Sequence, residues 1–267
     1  MNRAKLFKTL RSRNSGLFGT SLMQGQVAGV EAILDECIRQ GADLGQAAYI
    51  LATAYGETGG KMQAVRENLN YSTANVAKHF GAHRRQGKTP AQLSRNPVLL
   101  GNTVYGGAWG KVNLGNVLPG DGYDLRGTGI GQWTGRNNLT KLGVDAGLDL
   151  VANPSLLDDV GVNSRLLVAW MLKGGATGLR LDKFVKGGSR DYQGARRVWG
   201  GVNAAEYVEH AIAFAAALET AGYGTAAPTA PPPPSPPPVD YEWVPGDVPI
   251  PPTWFPAWLA KLFGRIF

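Results

Sequence analysis

Residues 47–60 read AAYILATAYGETGG, an apolar run that ends in one glutamate and two glycines. The run has no polar face, which predicts a buried helix, and the glycines after Glu57 predict where that helix ends. Glu57 is therefore expected at the C-terminal end of a buried helix. Burial and the partial negative charge of that helix end both favour the protonated carboxyl. Such a carboxyl can serve as a general acid, and an ordinary polar residue at a helix end is the alternative.

The composition indicates a folded protein with an anionic partner. Apolar residues make up 43% of the 267 residues, and the formal net charge is +7. A basic chain favours nucleic acid, anionic lipid or an acidic cell-wall polymer as partner. Cys37 is the only cysteine, which excludes an internal disulfide, and its place on an apolar stripe predicts a thiol in the core. The basic N-terminal region has no apolar signal-peptide core, so we expect synthesis in the cytoplasm without a cleaved signal.

Helical periodicity covers most of the first 224 residues and predicts an α+β fold that is mostly α-helical. Capping-box patterns predict helix starts at Ser21, Asp43 and Asn203. No stretch is long and apolar enough to predict a membrane-spanning helix. The predicted organisation is a domain over residues 1–224 with its core at about 20–222, a proline-rich linker over 225–252 and an amphipathic segment over 253–267.

A glycine-rich and aromatic segment covers residues 101–135 and is expected to contain the small β region. Its last run, RGTGIGQWTG at 126–135, has neither the spacing of a dinucleotide fingerprint nor the Gly-Lys-Ser/Thr of a phosphate loop. Aromatic rings beside polar groups suit a sugar, which offers apolar faces for stacking and hydroxyls for hydrogen bonds. The alternative is that the rings belong to the core. The rings concerned are those of Tyr105, Trp109, Tyr123 and Trp133.

Short motifs follow one another in order: GETGG at 56–60, VREN at 65–68, YGGAWG at 105–110, PGDG at 119–122 and RGTGIGQWTG at 126–135. Together they resemble the family-19 glycoside hydrolases, the chitinase and phage-endolysin family with a lysozyme-like fold. The resemblance extends over about residues 20–222. The second and third glycine-containing pieces, YGGAWG and PGDG, look like the bacteriophage branch in particular.

The resemblance implies inverting hydrolysis of a β-1,4 glycosidic bond. Glu57 takes the role of the general acid, Glu67 that of the base that activates a water, and Thr134 assists the base. Inversion needs room for that water, with the carboxyls roughly 6.5–9.5 Å apart or a little more. The resemblance implies that Gln132, Thr134 and Asn138 position substrate or water. The other residues expected to bind substrate are Tyr105, Trp109, Tyr123, Arg126 and Trp133.

The resemblance to the phage branch, the positive charge and the missing signal favour peptidoglycan as substrate. We therefore expect a monomeric endolysin that acts on the cell wall in the periplasm of an infected bacterium, without cofactor or metal. His79 and His83 are four residues apart but lack an obvious third ligand, so a solvated basic face is the favoured interpretation. The alternatives are a chitinase and a wall-binding virion protein without activity. The basic residues are dispersed and match no nucleic-acid motif, which argues against a nucleic-acid partner.

Two positions depart from the family pattern. Gly56 stands where the family has a histidine before the acid, and Trp199 stands where many relatives have an asparagine. Both departures bear on the contacts with substrate, and neither changes the assignment of the acid.

The C-terminal segment 253–267 has apolar residues at three- and four-residue spacing, with Lys261 and Arg265 on the other side of a helix. The segment is too short to span a bilayer but long enough to lie in its surface. Folding back onto the domain, or packing against a partner, is the alternative. The apolar residues are Trp254, Phe255, Trp258, Leu259, Leu262, Phe263 and Ile266.

Deleting residues 253–267 is expected to leave hydrolysis of isolated peptidoglycan intact and to reduce binding to anionic lipid vesicles and lysis of intact cells. Vesicle co-sedimentation and release of soluble fragments measure the two effects. A truncated protein that binds vesicles as well as the full chain, or that loses activity on isolated wall, would favour the packing alternative.

Overall fold

A computed structural model describes residues 1–200 and 204–224. The predicted linker, the amphipathic segment and the predicted cap at Asn203 lie outside the described residues. The described chain is mostly helical with one small sheet, which confirms the predicted α+β class and fits a lysozyme-like fold.

The elements of the described chain are short except for four helices. The helices are α1 (Arg3–Leu10), α2 (Gln24–Arg39), α3 (Leu44–Glu57), α4 (Thr73–His79), α5 (Pro90–Leu93), α6 (Pro97–Val104), α7 (Gly107–Leu114), α8 (Asp121–Asp124), α9 (Arg136–Ala146), α10 (Val160–Lys173), α11 (Tyr192–Trp199) and α12 (Ala204–Ala221). The strands are β1 (Val185–Lys186) and β2 (Ser189–Arg190).

Contacts divide the chain into two compact units, which are described separately. Unit 1 joins Met1–Gln63 to the described residues that follow Asp159, and unit 2 is Ala64–Asp159. The single domain over residues 1–224 stays a prediction.

Helix α3 is the central element of unit 1. All its residues from Gly45 to Ala54 are buried, as the absence of a polar face predicts. Asp43 begins the helix with the predicted capping box, in which its carboxylate accepts from the backbone N–H of Gln46 and the Gln46 side chain accepts from that of Asp43. Helix α12 packs along α3, and α2 also contacts it.

Helix α2 begins two residues later than the motif at Ser21 predicts. Its N-cap is Met23, whose backbone N–H donates to the side chain of Gln26 at 2.8 Å. Gln26 is held in place because its amide also donates to the carbonyl of Gly60 at 2.9 Å, a contact that a local pattern cannot reveal. Cys37 is fully buried on this helix, as predicted.

The two-stranded sheet lies in unit 1, outside the segment expected to form β structure. Strands β1 and β2 pair antiparallel, with Val185 opposite Arg190 and Lys186 opposite Ser189. In unit 2 the glycine-rich run contributes one isolated antiparallel bridge between Thr128 and Trp133. Gly129 and Gln132, which lie in the turn between the bridged residues, have positive φ angles of 84° and 50° and so form a tight turn there.

Unit 2 consists of the short helices α4 to α9 and the loops between them. Helices α6 and α8 lie in close contact because Gly122 has no side chain. A Cβ atom at Gly122 would lie 2.5 Å from the carbonyl oxygen of Gly101. Among the described residues, no helix has the length and apolarity needed to cross a membrane.

Candidate active site

Glu57 is the last residue of α3 and belongs to unit 1, where two side chains from α11 and α12 hold it. Both terminal nitrogens of Arg196 on α11 donate to its Oε1 at 3.2 Å. The hydroxyl of Tyr207 on α12 donates to the same oxygen at 3.0 Å. The guanidinium of Arg196 lies 3.7 Å from the centre of the Tyr207 ring, so cation, ring and carboxyl form one cluster.

The Glu57 side chain is 10% exposed and that of Arg196 is 4% exposed, so the predicted burial at the helix end is observed. The hydrogen bonds from Arg196 are charge-assisted, because a guanidinium donates to a carboxyl oxygen. The sequence analysis missed Arg196 and Tyr207. They lie 139 and 150 residues from Glu57 along the chain, and only the packing of α11 and α12 brings them to it.

The three donors leave the second oxygen of Glu57 open. All of them converge on Oε1, and within the described chain Oε2 has no hydrogen-bond partner.

Gly56 is explained by the position of Tyr207. A Cβ atom at Gly56 would lie 2.6 Å from two carbon atoms of the Tyr207 ring. The residue before the acid has no side chain here because a ring from α12 occupies that space. Burial, together with the charge of Glu57, raises the pKa of Tyr207, which keeps its hydroxyl a donor.

Glu67 lies in unit 2 and is 5% exposed. The hydroxyl of Tyr105 donates to its Oε2 at 2.8 Å and lies 3.1 Å from Oε1, while that of Tyr71 donates to Oε1 at 3.4 Å. The backbone is fixed as well: the Glu67 N–H donates to the carbonyl of Gly127 at 2.8 Å, and Nε of Arg126 donates to the Glu67 carbonyl at 2.7 Å.

Burial raises the pKa of Glu67 to about 7, and the hydroxyl of Tyr105 and the charge of Arg84 oppose that rise. Arg84 is 3% exposed, and its guanidinium carbon lies 4.3 Å from the Trp109 ring centre and 5.1 Å from those of Phe80 and Tyr105. Glu67 can therefore take up or release a proton near neutral pH.

The residues predicted to position substrate or water, Gln132, Thr134 and Asn138, form hydrogen bonds that hold the loop after Arg126 in place. Gln132 has a left-handed backbone with φ of 50°, and its amide nitrogen donates to the carbonyls of Val65 and Gly129. Its Oε1 is buried and has no hydrogen-bond partner among the described residues. Thr134 is buried, with its hydroxyl donating to the Gln132 carbonyl at 3.1 Å, and the amide of Asn138 donates to the Thr134 carbonyl at 2.8 Å.

The predicted sugar-binding aromatics divide by exposure. Tyr105 and Trp133 are fully buried, so neither ring presents a face to a ligand; Tyr105 serves Glu67 and Trp133 belongs to the core. Trp109 and Tyr123 are half-buried, and Arg84 lies over one face of the Trp109 ring, with its guanidinium carbon 4.3 Å from the ring centre. Arg126 covers Tyr123, with its guanidinium carbon 4.0 Å from the ring centre. Trp199, at the other departure from the family pattern, is buried in unit 1 at 2% exposure.

Comparison with known proteins supports a relation to glycoside hydrolases. No family model matches the chain. The chain is 34% identical over 93 residues to a Haemophilus influenzae protein named glycosyl hydrolase family 19 domain-containing protein. The match covers 35% of this chain and 44% of that protein, so the chain spans less than half the length of the curated relative it matches. This similarity agrees with the family that the motifs resemble.

Replacing Gly56 by Ala is expected to lower the free energy of unfolding by about 1–3 kcal/mol, because the new methyl group displaces the Tyr207 ring. Gly25→Ala is the matched control: it lies on another helix of unit 1, and its Cβ would meet only the flexible side chain of Gln63, at 3.3 Å or more. Urea unfolding measures both. If Gly56→Ala is as stable as Gly25→Ala, the close contact with Tyr207 is not what requires glycine.

Replacing Glu67 by Gln is expected to remove a pH-dependent part of the stability. Because the pKa of Glu67 is raised from 4.5 to about 7, protonation of its carboxyl favours the folded state. This contribution to the free energy of unfolding is complete below pH 4.5 and is lost as the pH rises through 7. The free energy of unfolding of the wild type should therefore fall by about 3 kcal/mol relative to Glu67→Gln between pH 4.5 and 8. Urea unfolding at both pH values checks this, with the exposed Glu209→Gln as control. A difference that does not change with pH would contradict the raised pKa.

Proposed function

We propose that the protein is a glycoside hydrolase that cleaves β-1,4 bonds of bacterial peptidoglycan by an inverting acid/base mechanism, in the manner of a phage endolysin. The observation that carries the proposal is Glu67, a buried carboxyl whose pKa lies near 7 between two tyrosine hydroxyls. The similarity to a protein named for glycosyl hydrolase family 19 supports the reaction class. The proposed place in the phage endolysin branch of the family rests on the sequence motifs.

Glu57 is proposed as the general acid that protonates the leaving oxygen. Its Oε1 is occupied by Arg196 and Tyr207, so the proton is carried on Oε2. As the proton leaves, Arg196 and Tyr207 stabilise the carboxylate that forms. The same contacts fix the rotation of the carboxyl, which a proton transfer to one specific oxygen requires.

Glu67 is proposed as the base that activates the attacking water. The bond from Tyr71 is the longest at 3.4 Å, and it is the contact that a water on Oε1 would replace. The bond from Tyr105 at 2.8 Å would keep the carboxyl oriented meanwhile. The Oε1 of Gln132, which has no hydrogen-bond partner within residues 1–200 and 204–224, and the hydroxyl of Thr134 are proposed to hold the water or the substrate.

Peptidoglycan is proposed as the substrate, and the periplasmic cell wall as the site of action, with the enzyme working as a monomer. The net charge of +7 supports an anionic polymer. Chitin is the second candidate, because it shares N-acetylglucosamine with peptidoglycan and the matching motifs do not separate the two.

Glu57→Gln and Glu67→Gln are each expected to lower the release of reducing ends from purified cell walls at least about a hundredfold, since each removes one proton-transfer group. Glu209→Gln, an exposed glutamate on α12, should retain wild-type activity. Near-UV circular dichroism verifies that the variants fold. Proton NMR of the early product should show the α anomer, as inversion requires.

Wild-type activity in Glu57→Gln would remove the acid assignment, and an early β anomer would indicate a retaining reaction with another role for Glu67. A wild-type protein that binds walls without releasing reducing ends would be the non-catalytic wall-binding alternative. Release of products from chitin alone would make the enzyme a chitinase.

A further inference from the structure

Unit 2 contains a long stretch of chain with basic residues and no acidic ones. Between Glu67 and Asp121 the sequence has no aspartate and no glutamate. The six cations of this stretch are Lys78, Arg84, Arg85, Lys88, Arg95 and Lys111. The stretch folds into helices α4 to α7 and the loops that join them, so its excess of positive charge is local to this part of unit 2.

Three of these cations are exposed around the packed helices α4 and α5: Lys78, Lys88 and Arg95. Arg95 is tied to the start of α4, because its backbone N–H donates to the carbonyl of Tyr71 at 2.9 Å and its guanidinium to that of Asn70 at 3.3 Å. In residues 1–200 and 204–224, none of the three cations lies within 4 Å of an acidic side chain. We name these three residues the α4–α5 cationic surface.

This surface adjoins the environment of Glu67. The ring of His79, the last residue of α4, lies 5.7 Å from the ring of Tyr71, whose hydroxyl donates to Glu67. Burial, and then the charge of Lys78, lower the pKa of His79, so the positive charge here comes from lysine and arginine. The α4–α5 cationic surface therefore belongs to the same unit as Glu67, and its helix α4 contacts a ring whose hydroxyl donates to this carboxyl.

We propose that the α4–α5 cationic surface binds the carboxylates of peptidoglycan stem peptides and thereby makes the protein prefer this anionic glycan to neutral chitin. The inference rests on the proposed function and names the residues that would select its substrate. Peptidoglycan and chitin present similar sugar rings, whereas only the former carries carboxylates along its length. Each exposed contact is weak, and several acting on one polymer produce a measurable preference.

The test uses the full chain and compares Lys78→Gln/Lys88→Gln/Arg95→Gln with a control triple, Lys5→Gln/Lys8→Gln/Arg13→Gln. Both sets remove three exposed cations, and the control residues lie in unit 1. The probes are native cell-wall sacculi and sacculi whose carboxyls have been converted to neutral methylamides. Co-sedimentation measures binding, and released reducing ends measure hydrolysis.

The expected result is about a tenfold weaker binding of the α4–α5 triple to native sacculi at low ionic strength. The difference should shrink at 0.5 M salt, where charges are screened over a few ångströms, and it should vanish on methylamidated sacculi. The control triple should bind native sacculi within twofold of the wild type.

If both triple variants lose the same amount of binding to native sacculi, the effect is due to net charge and the inference is overturned. The inference is also overturned if the α4–α5 triple loses the same amount of binding to native and to methylamidated sacculi. Binding decides the inference without reference to catalysis. Absence of reducing ends with the wild type, alongside the expected binding pattern, would instead overturn the proposed hydrolase activity and leave the cationic surface as a wall-binding site.

Discussion

The fold buries the carboxyl of Glu67, and the free-energy cost of that burial is the constraint that the surrounding side chains of unit 2 have to offset. Tyrosine hydroxyls supply hydrogen bonds, while Arg84 supplies charge from beneath the rings of Phe80, Tyr105 and Trp109. The hydrogen bonds and the charge of Arg84 lower the pKa of Glu67 by less than burial raises it, so the pKa stays at about 7. A carboxyl with a pKa near 7 exists in both protonation states at neutral pH, which acid/base chemistry at that pH requires.

The carboxyl of Glu57 is also largely shielded from water, but its main partner is a charged side chain. Its carboxyl lies beside a guanidinium, and a tyrosine hydroxyl donates to the same oxygen. The two glutamates therefore have different environments, one dominated by a cation and the other by neutral hydroxyls.

Both glutamates are oriented by backbone that is itself fixed. Helix α3 is buried through most of its length, which leaves its last residue little freedom. The segment with Glu67 is held by Arg126, by the carbonyl of Gly127 and by the amide of Gln132. Gln132 keeps a left-handed backbone that costs free energy, and the hydrogen bonds of its side chain retain it.

The sequence alone determined the helical class, the buried helix α3 with its cap at Asp43 and the buried thiol of Cys37, because spacing of apolar residues and short-range capping are local properties. Its motifs also predicted Glu57, Glu67 and Gln132 as site residues. Only the tertiary structure decided that Arg196 and Tyr207 meet Glu57, that Tyr207 requires Gly56, and that the rings of Tyr105 and Trp133 are buried. Those facts depend on contacts between residues far apart in the chain, and a local pattern does not specify which distant side chain will occupy a given space.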